Sequence, residues 1–121
     1  MKSQKIMLID DDKDVLDAMS MVLEDKGYEV SSVYKTDLVY NKVLSIKPNL
    51  IILDLLLSGR DGKEICRNFK SNELTKSIPI VLSSAHPSAD KAAQEAGADG
   101  FLPKPFDSED LIKTVKKYIT K

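Results

Sequence analysis

Short runs of consecutive apolar residues alternate along the chain with longer segments in which apolar residues recur every three or four positions. The first pattern is typical of buried β-strands and the second of amphipathic α-helices. The predicted strands are residues 6–9, 28–33, 50–53, 78–82 and 101–102. Each is followed by a helical stripe, at residues 15–23, 38–46, 65–69, 92–96 and 111–119. Gly27, Pro48 and Gly97 supply stop signals for three of these helices, and residues 59–62 are predicted to form a loop.

Strands that alternate with helices of this length predict a parallel sheet covered on both faces. Right-handed crossovers then make the sheet doubly wound. We therefore predict an α/β fold with a five-stranded parallel sheet of order 2-1-3-4-5 and helices on both faces, the flavodoxin-like (βα)5 arrangement. The 121 residues fit one compact domain over positions 1–121, and we expect no separate output domain within them.

The amino-acid composition argues against several classes of protein. The chain has 18 basic and 19 acidic residues, for a net charge of -1, so we expect no direct nucleic-acid binding and no polybasic membrane surface. The one cysteine rules out an internal disulfide and suits a reducing compartment. No apolar run reaches the roughly 18 residues that a membrane span needs. These features together predict a cytoplasmic protein.

The ends of four predicted strands carry polar residues. An aspartate run at 10–12 follows the first strand, Asp54 the third, Ser84 the fourth and Lys104 the fifth. Ligands of doubly wound sheets bind beyond the carboxyl ends of the strands, where strand order reverses. Each residue also has an ordinary interpretation: the aspartate run could cap a helix, Asp54 could cap a loop, Ser84 could be a common strand-end serine, and Lys104 could be solvated.

Taken together, these polar residues indicate a more specific chemistry than any one of them does alone. Carboxylates gathered in one crevice raise each other's pKa values. A hard divalent cation relieves that repulsion, and Mg²⁺ prefers carboxylate oxygens and water. Lys104 and the Ser84 hydroxyl would complete a site for a tetrahedral anion. A carboxylate that attacks a phosphoryl group there, for which Asp54 is the candidate, forms an aspartyl phosphate.

Four motifs give the chain a clear resemblance to the response-regulator receiver domains of two-component systems, including the chemotaxis regulator. The motifs are Ile9-Asp10-Asp11-Asp12, Leu53-Asp54-Leu55 with Asp61-Gly62 after it, Ser83-Ser84-Ala85, and Gly-Ala-Asp-Gly-Phe-Leu-Pro-Lys-Pro-Phe at 97–106. They occur in the family's order and spacing, and the resemblance covers essentially the whole chain.

The resemblance implies roles for the acids. Asp54 would be the phosphoacceptor and would also contact the metal. Asp11 would bind Mg²⁺ directly, and Asp10 would hold it through water. The backbone carbonyl of Leu56 would be a further ligand.

The resemblance also implies a switch. Ser84 corresponds to the family's switch hydroxyl, Lys104 to its lysine, and Phe101 to the aromatic residue that turns inward when the hydroxyl engages phosphate. The ordinary alternative for Phe101 is a core aromatic. The Lys104–Pro105 peptide bond would be cis, which would aim the lysine into the site.

Some positions depart from the family pattern. Ser58 stands where the family commonly has proline, which predicts a more flexible loop there. Pro103 lies within the fifth strand and suits it only if that strand is an edge. Leu56 and His86 occupy the variable positions that flank the site. An apolar Leu56 offers no group that orients water, so we expect slow self-dephosphorylation; His86 is interpreted as an exposed loop residue.

The function that these features imply is a phosphorylation-dependent switch and not an enzyme, apart from catalysing its own phosphotransfer and dephosphorylation. The phosphodonor would be a sensor histidine kinase or a His-containing phosphotransfer protein. The fourth helix, fifth strand and fifth helix would form the face that controls a downstream target, and this face could support dimerisation. Three alternatives stay open: a phosphorylation-independent interaction module, a flavodoxin-type electron carrier and an aspartyl phosphatase.

Overall fold

The computed structural model describes residues 4–35, 39–57, 60–86 and 88–119. Five helices lie within these ranges: α1 (Lys13–Asp25), α2 (Val39–Ile46), α3 (Gly62–Ser71), α4 (Ala89–Glu95) and α5 (Ser108–Tyr118). The strands there are β1 (Lys5–Ile9), β2 (Glu29–Val33), β3 (Leu50–Asp54), β4 (Leu56–Leu57), β5 (Arg60–Asp61), β6 (Ile80–Ser84) and β7 (Gly100–Pro103). Leu38, Ser58 and Gly59, on which parts of the predictions rested, lie outside the described residues.

Five strands form the main sheet, in the order β2-β1-β3-β6-β7. All neighbouring pairs in it are parallel. The predicted fourth and fifth strands correspond to β6 and β7, so the predicted order 2-1-3-4-5 is confirmed. Ile9 pairs with Leu53, and Asp54 pairs with Ser83. This register brings the carboxyl ends of β1, β3 and β6 to the same level. β7 is the edge strand expected to hold Pro103.

Two hydrophobic cores cover the two faces of the sheet. On one face, Ile6 and Leu8 of β1 belong to a buried cluster with residues of α1 and α5. On the other face, Met7 and Ile9 belong to a cluster with residues of α2, α3 and α4. Alternate side chains of a strand point to opposite faces, so a strand with both faces covered is apolar throughout. Cys66 lies in the second cluster, fully buried as expected.

The second half of the chain departs from the prediction in two places. The fourth strand of the main sheet begins at Ile80 and not at residue 78, because the Ile78 N–H donates to Thr75 O and closes a turn. Residues 60–62 are not a loop: Arg60 and Asp61 pair antiparallel with β4, and α3 begins at Gly62. Strands of two residues are too short to show the alternation by which a strand is recognised in a sequence.

None of the described helices is long and apolar enough to cross a membrane.

Candidate phosphoacceptor site

Three carboxylates meet at the carboxyl end of the sheet. Asp10 directly follows β1, and Asp54 is the last residue of the neighbouring strand β3. Asp10, Asp11 and Asp54 each place a carboxylate oxygen within 4.8 Å of the others. Asp10 and Asp54 are buried, whereas Asp11 is exposed. The predicted juxtaposition of these acids is therefore confirmed.

Lys104 enters the same site from the end of β7. Its ammonium Nζ lies 3.2 Å from Asp10 Oδ2 and 3.3 Å from Asp54 Oδ1. The Lys104 backbone N–H donates to Ser84 O at 2.9 Å, which fixes the start of this turn against β6. The Lys104–Pro105 peptide bond is cis, as the resemblance implied. One cation thus contacts two of the three acids.

The electrostatics of the site follow from burial and from this uneven charge. Burial raises the pKa of the Asp54 carboxyl, and Asp10 adds to the rise, while Lys104 opposes it. For Lys104, burial lowers the pKa, but the attraction of Asp10 and Asp54 outweighs burial and raises it. Further positive charge bound beside Asp54 would therefore stabilise its ionised carboxylate.

The donor set fits a hard divalent cation. Three carboxylates within one ligand-sized space supply the oxygen atoms that Mg²⁺ prefers. Burial, and after it the charge of Asp10, raise the pKa of Asp54, and a bound cation would stabilise its ionised form against both. Asp12 does not belong to this set, because its Oδ1 accepts hydrogen bonds from the Asp14 and Val15 N–H groups and caps α1. The capping interpretation of the aspartate run is thus correct for Asp12.

Two serines end β6 beside the acids, and both are buried. Ser84 Oγ accepts a hydrogen bond from the His86 N–H at 3.0 Å. Ser83 Oγ donates to Leu102 O at 2.8 Å, and Ser83 O accepts from the Leu55 N–H. Ser83 also lines a small void under the site with Asp10, Asp54 and Lys104. Ser83 differs from an ordinary strand serine only in its register opposite Asp54. The hydrophobic pattern alone does not define that register.

The remaining predicted site residues lie around this centre. Phe101 is in β7, half-buried, and packs against the core on the α3–α4 side of the sheet. Leu56 is in β4, two positions after Asp54. The role of its carbonyl as a metal ligand and the role of Phe101 as a switch stay predictions.

Gly62 shapes the backbone next to the acceptor. Its N–H donates to Leu55 O at 2.8 Å. A Cβ atom at this position would lie 2.8 Å from both the Cα and the O of Leu55, and closer still to Asp54 O. Only a glycine lets the start of α3 approach the turn after β3 this closely, which is a physical reason for the Asp-Gly pair in the motif.

The family model of the response regulator receiver domain matches residues 6–116. The chain belongs to this family. A receiver domain is the regulatory phosphoacceptor domain of two-component signalling, so the resemblance seen in the motifs is confirmed.

Several relatives agree with this assignment. The chain is 34% identical over 118 residues to the phosphate regulon transcriptional regulatory protein PhoB of Pseudomonas aeruginosa, covering 96% of the chain and 52% of that protein. It therefore spans about half the length of this curated relative. A response regulator from Chloroflexus aurantiacus has a TM-score of 0.92 at 32% identity, with 99% of this chain and 100% of that one covered. Chemotaxis protein CheY4 of Vibrio cholerae has a TM-score of 0.89 at 26% identity, with 97% and 99% covered.

Proposed function

We propose that the chain is a signalling switch that accepts a phosphoryl group on Asp54 in a Mg²⁺-dependent reaction. The observation that supports this most strongly is the position of Asp54. Its buried carboxylate lies between two other acids and the Lys104 ammonium, at the carboxyl end of the central strand. A nucleophilic carboxylate, a cation-binding acid cluster and a fixed ammonium are the groups that phosphoryl transfer requires.

The chemistry is a substitution at phosphorus. An Asp54 carboxylate oxygen forms a bond to phosphorus while the bond from phosphorus to a histidine nitrogen of the donor breaks, and the released imidazole keeps the electron pair and takes a proton. The donor is a sensor histidine kinase or a His-containing phosphotransfer protein, and with that partner we place the domain in the cytoplasm.

The other site residues stabilise the charge that the transfer brings in. Asp10, Asp11, Asp54 and the Leu56 carbonyl would hold Mg²⁺, which when bound supplies positive charge against the phosphoryl oxygens. Lys104, which follows β7 at the same edge of the sheet, supplies a second positive charge. The Ser84 hydroxyl, in the last position of β6, donates a hydrogen bond to the phosphoryl group. Mg²⁺, Lys104 and Ser84 would each interact more strongly with the phosphorylated site than with the resting one. This difference in interaction free energy would shift the equilibrium between the two conformations.

The response is carried by the face of α4, β7 and α5. Motion of Ser84 leaves space that Phe101 fills by turning inward, and this changes the face that a downstream target reads. The target is an output domain of a longer chain or a separate partner, and dimerisation through the same face is one form of the response. The described residues themselves would not bind nucleic acid. Slow self-dephosphorylation, expected from Leu56, belongs to this proposal.

Intact-mass measurement after incubation with a small phosphodonor tests the proposal. We expect the mass of one phosphoryl group to be added with Mg²⁺, and none to be added after chelation or in Asp54→Asn. Asp61→Asn is the matched control, because Asp61 is an exposed helix cap at the edge of the site. A folded parent protein that gains no mass with Mg²⁺ would instead support a phosphorylation-independent interaction module.

A further inference from the structure

His86 contacts both the switch serine and the first turn of the helix that follows. Its backbone N–H donates to Ser84 Oγ at 3.0 Å. Its ring atom Nδ1 lies 3.2 Å from the Ser88 backbone N and 2.9 Å from Ser88 Oγ. Its carbonyl oxygen accepts from the Ala89 N–H at 3.1 Å. One residue thus joins the end of β6 to the start of α4 through four hydrogen bonds.

The roles of the imidazole atoms follow from the donors that face them. The Ser88 backbone N–H can only donate, so Nδ1 carries a lone pair and the ring proton is on Nε2. In an Asx turn, a side-chain δ atom accepts a hydrogen bond from the backbone N–H of the residue two positions later. His86 therefore makes the hydrogen bond that asparagine or aspartate usually makes at such a position.

The caps of the other helices show why this contact matters for α4. Asp12, Asp61 and Asp107 cap α1, α3 and α5 with their own side chains. Ser88 occupies the cap position of α4 but makes no side-chain capping bond, since its hydroxyl faces His86. Helix termini leave backbone N–H groups that need partners. The imidazole of His86 supplies one of these partners.

α4 depends on such support because it is short and buries little. It has seven residues, and the side chains that it buries are the alanines Ala89 and Ala93. An isolated helix of this length is unstable in water, and alanine methyl groups contribute little burial. A lost cap therefore changes the local stability of α4 more than that of a long, well-packed helix.

We propose that His86 is a positioning residue that couples the Ser84 hydroxyl to α4. In the resting protein its N–H holds Ser84 Oγ while its imidazole holds the first turn of the helix. When Ser84 Oγ turns to the phosphoryl group, the His86 N–H loses this acceptor, and the segment that carries the imidazole cap moves with it. The coupling step rests on the proposed function, because it requires Ser84 to engage the phosphoryl group; the capping step does not.

Two substitutions at His86 separate capping from a general effect on folding. His86→Ala removes the imidazole and keeps the backbone bond to Ser84. His86→Asn restores an acceptor, because its Oδ1 occupies the position of Nδ1. The first measurement is hydrogen–deuterium exchange of the amides of α4 in the unphosphorylated protein. We expect His86→Ala to lose protection by about fivefold, the usual effect of a lost cap, and His86→Asn to retain it.

The second measurement is the concentration of beryllofluoride, a phosphoryl analogue, that half-saturates each protein in the presence of Mg²⁺. If the cap stabilises the resting state, His86→Ala binds the analogue several-fold more tightly than the parent, and His86→Asn restores the parent value. Unchanged α4 protection in His86→Ala, or equal loss in both variants, would overturn the capping role. Unchanged analogue binding with lost protection would overturn the coupling. A parent protein that does not bind the analogue would contradict the proposed function while leaving the capping result intact.

Discussion

Lys104 Nζ lies 3.3 Å from Asp54 Oδ1, although 50 positions separate these residues in the chain. The contact exists because β3 and β7 end at the same edge of one sheet, with only β6 between them. The carboxylates of Asp10 and Asp54 share this ammonium. The resting site therefore carries excess negative charge, and its stability should respond to any change that alters this balance.

Neutralising the acceptor should stabilise the resting fold. Burial and the charge of Asp10 raise the pKa of Asp54 above its ordinary value of 3.8, so the ionised carboxylate destabilises the native state. We expect Asp54→Asn to increase the free energy of unfolding at pH 7, because the amide carries no charge to bury. Because the folded state holds the proton more tightly, the parent protein loses stability as pH rises from 3.8 through the raised pKa.

Urea unfolding of both proteins between pH 3 and pH 8 measures this difference. The advantage of Asp54→Asn should be present at neutral pH and should vanish below pH 3.8, where Asp54 is protonated in the folded and unfolded states. Mg²⁺ should raise the melting temperature of the parent more than that of Asp54→Asn. An Asn variant that is less stable than the parent at pH 7 would contradict this account of the site.

Removing the ammonium should have the opposite effect. Lys104→Met leaves Asp10 and Asp54 without the cation that contacts them, and losing hydrogen bonds to buried charged groups costs about 1.5–3 kcal/mol. The stabilisation by Mg²⁺, measured as the rise in melting temperature, should be larger in this variant, because the acids repel each other more. Lys113→Met, on the exposed side of α5, is the control and should change neither quantity. A loss of Mg²⁺ stabilisation in Lys104→Met would count against the metal site.

Two glycines should respond differently to an added methyl group. Gly62→Ala places its Cβ against the backbone of Leu55, which cannot move without distorting the site. Gly100→Ala places its Cβ within 2.7 Å of the Tyr118 ring, a side chain that can be removed. We expect both variants to lower the midpoint of thermal unfolding.

A second substitution distinguishes the two cases. Tyr118→Ala should relieve part of the destabilisation of Gly100→Ala in a double mutant, because it removes the group that clashes. The same substitution should leave the effect of Gly62→Ala unchanged. Equal effects of Tyr118→Ala on both glycine variants would show that the local contacts do not explain them.

A cluster around Lys70 should stabilise the opposite end of the sheet. Lys70 Nζ lies 2.6 Å from Asp99 Oδ2, donates to the carbonyl oxygens of Lys76 and Ile78, and is largely shielded from solvent. Lys70→Met removes the cation beside Asp99, which keeps its hydrogen bond from the Ile80 N–H, and removes the donor to two carbonyl oxygens. We expect the free energy of unfolding to fall by about 1–3 kcal/mol. Urea unfolding is the measurement.

Lys76→Met is the matched control for that experiment. Lys76 pairs with Glu73 on an exposed turn, and exposed pairs contribute about 0–1 kcal/mol. Its effect should therefore be small beside that of Lys70→Met. Similar losses in the two variants would mean that solvent exposure does not decide the contribution of these pairs.

The sequence predicted a parallel sheet because strands buried on both faces are continuous apolar runs, as residues 6–9 of β1 and 50–53 of β3 are. The order of the strands was taken from the doubly wound arrangement that such a sheet adopts. Once that order is known, Asp10 and Asp54 must meet, since they end neighbouring strands. The antiparallel pair at 56–57 and 60–61 was missed because two-residue strands have no detectable period. The cap that His86 supplies was missed because its acceptor is an imidazole nitrogen, whereas pattern analysis expects an oxygen of aspartate, asparagine, serine or threonine in that role.

The central claim is that the phosphoryl group resides on Asp54, and borohydride trapping followed by peptide mass spectrometry tests it most directly. Borohydride reduces an aspartyl phosphate to homoserine and leaves free carboxylates and phosphohistidine unreduced. After treatment with a phosphodonor and Mg²⁺, the account predicts homoserine at position 54 and intact aspartate at positions 10, 11 and 12. Homoserine at one of those three positions, or a phosphorylated protein with no homoserine and with phosphate on His86, would contradict it.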